Sequence, residues 1–378
     1  MKIIIAGDFC PRTRTTSLID EGKFDYILGD VKPIIESADY SIVNLECPVV
    51  DANLHAKPIL KEGGNLCCKK SSVDAIKHAG FHGVTLANNH IYDYGKEGLV
   101  HTVQKCKEEG LDVVGVGENN EDAAKILYKQ VADRTIAIIN CCEHEFSVAD
   151  ESSPGANPLN PARQFYAIRE ARLTSDYVIV IVHGGHEHYQ LPSPRMKEIY
   201  RFFIDCGADV VINHHQHCFS GYEIYKAKPI FYGLGNFFFN KDGSYEGIWT
   251  EGIMVELCLE DSTTFKLYPY IQCGKEPIVR LMTETEREAF NKKISDLNAV
   301  INDDKALREE HKKWMKKSAL SYELALSPLS NNILLSAAAR KLIPTFLSKK
   351  KIIKLLNYIE CESHRDKLLF AIKNYLRI

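Results

Sequence analysis

Five short apolar runs in this chain each stop on residues that can bind a metal or move a proton. Lys2–Gly7 runs into Asp8, Tyr40–Val43 into Asn44 and Glu46, and Gly83–Ala87 into Asn88, Asn89 and His90. Tyr177–Val182 then runs into His183, and Asp209–Ile212 into His214-His215-Gln216-His217. Imidazole, carboxylate and amide oxygen together make the donor mixture that borderline divalent ions accept. His215 and His217, one residue apart in an extended segment, place both rings on one side; the same spacing also occurs in purely structural settings. Asn88-Asn89-His90 joins an amide ligand to an imidazole able to give a proton to a leaving group, with a turn or helix cap as the alternative. Asp8 reads as a ligand ahead of a turn residue, and Glu46 has two oxygens with which to bridge two ions. In His183-Gly184-Gly185-His186-Glu187-His188 the expected ligand is His183, nearest the strand end. Glu187 is expected behind the ligands, and His186 or His188 facing substrate or solvent.

Such groups converge only if the strands carrying them share one edge of a sheet, where α/β proteins bind ligands. Strand patterns recur at Ile3–Ala6, Ser41–Leu45, Val84–Ala87, Val113–Val116, Thr135–Asn140, Val178–Val182, Val210–Ile212, Ile230–Leu234 and Ile253–Leu259. Helical patterns at Ser71–Ala79, Gly95–Glu109 and Arg195–Cys206 each close on a glycine, Gly80, Gly110 or Gly207. From Ile224 to Gln272 strand-like runs follow one another without a helix, as in an antiparallel part of a mixed sheet. After Pro277 the texture becomes helical and rich in Glu, Lys, Leu and Ala. The sequence therefore predicts an α/β layered body over residues 1–277 and a helical C-terminal extension over 278–378.

Charge separates these parts. Of 47 Lys+Arg and 50 Asp+Glu, residues 281–378 hold 19 and 12, a balance of +7, leaving 28 against 38, or -10, for 1–280. An acidic body argues against a broad nucleic-acid surface, which needs clustered cations. The opening Met1–Asp8 is too short an apolar stretch for a signal peptide, and no apolar run approaches the ~18 residues of a spanning helix. The twelve cysteines are scattered without a C-x-x-C pair, as expected of reduced, mostly buried thiols in a cytoplasmic protein. Cys10, two residues after Asp8, is the one set apart as a candidate ligand. Gly115-Val116-Gly117 lacks the rest of a dinucleotide fingerprint and there is no Walker-type loop, so ATP is not implied. Lys349-Lys350-Lys351 ahead of Ile352, Ile353, Leu355, Leu356 and Ile359 makes a basic-flanked amphipathic helix, suited to packing within the protein or to a peripheral membrane or partner contact.

Taken in order, the motifs resemble a known family. They are Gly7-Asp8, Asn44-Leu45-Glu46, Ala87-Asn88-Asn89-His90 with Asp93 and Gly95, His183 with Glu187, Gly207-Ala208-Asp209 leading into His214-His215-Gln216-His217, and Leu234-Gly235-Asn236-Phe237. Over roughly residues 1–275 they resemble the CapA (poly-γ-glutamate capsule synthesis) family of the calcineurin-like metallophosphatase superfamily. The resemblance implies a four-layer α/β/β/α metallophosphatase-like sandwich with a divalent metal centre at the edge of its sheets. It also implies a role in capsule or surface-polymer assembly, with other proteins of that synthesis as partners. Carried over, Asp8 would bind the first ion and Glu46 would stand at the bridging position. Asn89, His183, His215 and His217 would complete the ligands. His90 would be the leaving-group acid, with Glu187 beside it in catalysis, and Asn44 and Asn236 would be ligands or rim. The superfamily's Asp-x-His reads Asp8-Phe9-Cys10 here, so one imidazole is missing unless Cys10 or a residue from elsewhere replaces it. The expected content is one or two ions of manganese, iron or zinc; a thiolate would favour the latter two. Two activities follow from the resemblance: hydrolysis of a phosphoester, less readily an amide, or a scaffold role with a depleted metal centre.

Overall fold

The computed structural model describes residues 1–260, 263–327, 329, 332–344 and 348–376. In chain order its strands are β1 (Lys2–Phe9), β2 (Tyr40–Leu45), β3 (Gly83–Thr85), β4 (Asp112–Val114), β5 (Val116–Gly117), β6 (Leu127–Val131), β7 (Arg134–Cys142) and β8 (Gly155–Ala156). They continue as β9 (Tyr177–His183), β10 (Val210–His214), β11 (Tyr222–Tyr225), β12 (Lys228–Phe231), β13 (Asn236–Phe238), β14 (Glu251–Leu259), β15 (Thr263–Gln272) and β16 (Val279–Leu281). One sheet runs β16-β15-β14-β1-β2-β3-β4, with β13 pairing the end of β1; the other runs β11-β12-β10-β9-β7-β6. Parallel pairing joins β1 to β2, β2 to β3 and β3 to β4, and in the second sheet joins β7, β9 and β10. Their carboxyl ends therefore lie on a common side.

Alternation along these strands builds the layers. Ile3, Ile5 and Ile42 of the first sheet meet Ile136, Ile138, Ile179, Ile181, Val210 and Ile212 of the second in one buried cluster. The opposite faces of β1 and β2, through Ile4, Ala6, Val43 and Leu45, pack on helical residues Ile19, Val73, Ile76 and Leu99. Helices Pro161–Thr174 and Pro194–Cys206 cover the outer face of the second sheet. This is the four-layer α/β/β/α arrangement that the resemblance implied.

The first compact unit runs from Met1 to Arg308, so the 277/278 boundary expected from composition falls inside it. Strand β16 pairs with β15, and helix Glu284–Asn302 sends Phe290 and Ile294 into the cluster between the sheets. That helix starts on a capping box, Thr283 and Glu286 each bonding the other's backbone N–H. The second unit, Glu309–Ile378, is mostly helical among its described residues, with the greater part of Asp304–Ala325 followed by Asn332–Ala339, Lys349–Glu360 and Glu362–Leu376. Among the described residues no helix is long and apolar enough to cross a membrane.

Candidate metal centre

A break in register aims the first carboxylate. Ala6 pairs with Val43 and Asp8 with Asn44, so Gly7 is skipped between β1 and β2. Unbroken alternation after the inward Ile5 would have turned Asp8 toward the helices; the bulge turns it between the sheets instead. Gly7 is required there, since a Cβ would lie 1.9 Å from the Gly235 carbonyl oxygen, which also accepts from the Asp8 N–H at 3.2 Å. From the second sheet, His183 and His214 follow Ile181 and Ile212 on the same inward face and pair with each other. Beyond β10 the backbone enters the left-handed region at His215 (φ 90°) and His217 (φ 53°), a strained turn that brings both rings back over the sheet edge.

Two groups of donor atoms result, one of Glu46, His183 and His215, the other of Asp8, Glu46 and His217. His183 Nε2 lies 3.0 Å from Asn89 Oδ1, 3.1 Å from His215 Nδ1 and 3.5 Å from Glu46 Oε1. His217 Nδ1 is 3.7 Å from Asp8 Oδ2, and its Nε2 is 3.7 Å from Glu46 Oε1. Donors bound at ~2.0–2.2 Å around one ion stand about 3 Å from their neighbours, so these spacings suit coordination with small adjustments. Glu46 is fully buried, and neither of its oxygens has a hydrogen-bond partner. A buried carboxylate of that kind is held as an anion only beside a cation, and its place in both groups suits a bridge between two. The residues present thus fit a pair of divalent ions.

The electrostatics agree. Burial first, then the Asp8 charge, pushes the Glu46 carboxyl well above its ordinary range. Burial would raise Asp8 too, but His214 beside it and the fields of His214, His183 and His217 outweigh that and hold it low. Two neighbouring carboxyls are thereby split in acidity. Burial drives His183 well down and His217 to about 4, leaving at neutral pH the free bases that ligate metals.

His90 stands apart from both groups. Its Nδ1 is 2.7 Å from Asp93 Oδ2 and 3.1 Å from Lys61 Nζ, and Lys61 is itself ion-paired to the other Asp93 oxygen. The Lys61 and Asp93 side chains are almost wholly buried, and Asp93 also accepts from the Leu66 N–H at 2.6 Å. His90 also lines a cleft of about 760 Å³, whose walls include Arg12, Glu187, Lys241 and Trp249. Glu187 lies on this cleft, under the influence of His217, His215, His188 and His90, rather than behind His183.

The residue behind His183 is Asn44. Its Nδ2 donates to Asp8 Oδ1 at 2.7 Å and lies 3.3 Å from His183 Nδ1, while its Oδ1 accepts from Thr85 and Asn88. Asn44 is thus a buried hub with both ends engaged. Asn236 holds His217, its Oδ1 2.9 Å from Nδ1 and its Nδ2 donating to the His217 and Trp249 carbonyls. Cys10 is not a member of either donor group; it is buried with Phe9 in the cluster of the first sheet and its helices, near enough to Glu46 to help raise that carboxyl. The argument from a thiolate toward zinc or iron therefore does not carry over to this geometry. Sequence reasoning missed Lys61, which sits in a non-periodic stretch with no signal, and placed His214 at a strand end without a role of its own, although alternation from Val210 and Ile212 puts it on the inward face.

Comparison with known proteins gives a family and several relatives. A family model described as bacterial capsule synthesis protein PGA_cap matches residues 2–241. The chain is 31% identical over 273 residues to the capsule biosynthesis protein CapA of Bacillus anthracis, covering 70% of this chain and 65% of that one. It is 33% identical over 238 residues to the PGA biosynthesis protein CapA of Bacillus subtilis (strain 168), covering 62% of each. The match thus spans less than two thirds of either relative's own length. Among solved structures, a putative 5'-nucleotidase from Staphylococcus aureus superposes with a TM-score of 0.46 at 17% identity, covering 78% of this chain and 58% of that one.

Proposed function

Because the chain belongs to the bacterial capsule synthesis protein PGA_cap family, we propose that it is a divalent-metal-dependent hydrolase in the assembly of a capsule or poly-γ-glutamate-type surface polymer. A phosphoester is the substrate bond favoured, ahead of an amide. The observation that carries this reading is Glu46: a wholly buried carboxylate with no hydrogen-bond partner, common to two groups of histidine and carboxylate donors.

Asp8, Glu46 and His217 would hold one ion, and Glu46, Asn89, His183 and His215 the other. Bound there, two ions supply electrophilic charge for a phosphoryl oxygen and make water acidic enough to attack. The chain's own residues do the rest. Asp93 and Lys61 occupy the Nδ1 edge of His90, so Nε2 is the atom from which a proton passes to the leaving oxygen. Arg12 and Lys241 on the cleft wall meet the negative charge of the substrate, and Glu187 faces the same space.

Elemental analysis after reconstitution with manganese, iron or zinc tests the proposal, together with turnover of a chromogenic phosphodiester. About two ions per chain and metal-dependent turnover are expected; a chain that retains no metal sinks it. A second reading, an assembly scaffold with a depleted centre, is favoured by one observation: His217 is the lone imidazole in the Asp8 group, and Cys10 is not among its donors. Metal binding without turnover of any ester or amide would favour the scaffold.

The second unit carries 14 Lys+Arg against 6 Asp+Glu over residues 309–378, a balance of +8. Helix Lys349–Glu360 leaves Ile353, Leu356 and Ile359 more than half exposed beside its lysines. We assign this face to a peripheral contact with an anionic membrane at the site of polymer assembly. The intact chain should float with anionic vesicles and not with neutral ones; sedimentation with both would remove the assignment.

A further inference from the structure

His214, at the end of a strand beside the donor groups, has no role in the reading above. It is 1% exposed, and neither of its ring nitrogens has an aligned hydrogen-bond partner. Leaving such a group buried costs about 1–3 kcal/mol, so an apolar residue would be the ordinary choice in a strand whose other inward residues are Val210 and Ile212. The ring does not lie loose in the core. Its Nδ1 is 3.3 Å from Asp8 Oδ1, the same oxygen that accepts from Asn44 Nδ2 at 2.7 Å.

The two carboxylate oxygens of Asp8 therefore have different surroundings. Oδ1 is held from the first sheet by Asn44 and approached from the second by His214. Oδ2 faces the His215 N–H at 3.3 Å and His217 Nδ1 at 3.7 Å, on the side where the donor group with Glu46 lies. His214 is absent from both donor groups, so it acts through Asp8 and not as a ligand.

We propose that His214 is a positioning residue for Asp8: from the second sheet it fixes Oδ1, so that Oδ2 is the oxygen presented beside His217 and Glu46 to a divalent ion. The inference rests on the metal-centre reading. Partners of this kind, which orient a ligand without touching the ion, typically change metal affinity by about 10–100-fold.

The test uses the intact chain and manganese(II) alone, with free ion counted by its electron paramagnetic resonance signal. Two variants are compared with wild type: His214→Leu, which removes both nitrogens, and His214→Asn, whose amide nitrogen can occupy the place of Nδ1. Circular dichroism of the metal-free proteins reports whether each is folded. The expected result is a fall of about 10–100-fold in the affinity of one ion in His214→Leu, the other ion being little changed, with most of the loss recovered in His214→Asn. Wild-type affinity in a folded His214→Leu overturns the proposal while leaving the metal-centre reading intact. A folded His214→Asn as weak as His214→Leu also overturns it, since a donor at the Nδ1 position would then not suffice. Wild type that binds no manganese, iron or zinc overturns both.

Discussion

Glu46→Gln should stabilise the metal-free protein and remove its response to metal. The side chain is wholly buried with both oxygens unpartnered, and Asp8 and Glu187 add negative charge around it. In the metal-free fold Glu46 must bind a proton or remain a buried charge, whereas glutamine of the same shape needs neither. Relief of the buried charge, or of the proton uptake that replaces it, corresponds to about 1–3 kcal/mol, or roughly 2–12 °C in midpoint at the 2–4 °C per kcal/mol of mid-sized domains. The sign with pH follows from the raised pKa. A group whose folded pKa lies above its unfolded value of 4.5 contributes stability that is fully present below that value and is lost as pH rises through the folded one. The advantage of the variant should therefore be small near pH 4.5 and grow toward neutrality. Manganese at about 100 times its dissociation constant adds roughly 2.7 kcal/mol to wild type and should add little to the variant, so the variant's advantage shrinks by that amount or reverses. Thermal unfolding with chelator and with manganese, at several pH values, measures all of this. A variant less stable than wild type without metal, or equally stabilised by manganese, would refute the reasoning.

Three further outcomes are expected. His90→Ala should keep its metal by elemental analysis while turnover falls by ~10²–10⁴, and undiminished turnover would remove His90 from its role. Lys61→Met leaves the buried Asp93 carboxylate without its cation and should cost about 3–5 kcal/mol in urea unfolding; an unchanged midpoint would show that the pair is not maintained in solution. Gly7→Ala drives a methyl group into the Gly235 carbonyl and should cost about 1–3 kcal/mol or more while also lowering manganese affinity, because the bulge that aims Asp8 depends on that contact.

Much of the scaffold was legible because period and punctuation agreed. Helix Gly95–Glu108 ends one residue before the expected Glu109, and Pro194–Cys206 starts one before Arg195. Strand ends delivering Asp8, Glu46, Asn89, His183, His215 and His217 were readable because each apolar run breaks on a polar residue that is costly to bury alone. Other features depended on contacts that a single chain pattern does not encode. The bulge at Gly7 decides which face Asp8 takes, and it is set by a close approach to Gly235, more than two hundred residues away. Cys10 was judged by its distance along the chain from Asp8, whereas its side of the chain decided its surroundings. The extension looked separate from residue 278 because helix Glu284–Asn302 buries only Phe290, Ile294 and Ile301, leaving its composition that of an exposed segment.

The placement of β1 between β2 and β14 also sets a clock during synthesis. Ile5 has its partner on one side, Ile42, early in the chain, but its partner on the other, Val255, about 250 residues later. At 5–20 residues per second that interval is roughly 10–50 s. For that time an isoleucine-rich ribbon emerging from the ribosome has one edge unsatisfied, the kind of edge on which nascent chains aggregate. The donor groups join Asp8 to residues as late as His217, itself held by Asn236, so they come together only near the end of the same interval. Overproduction should therefore be limited by the fate of the unfinished chain, and cold, slow expression or a chaperone that shields β1 should help more than added metal.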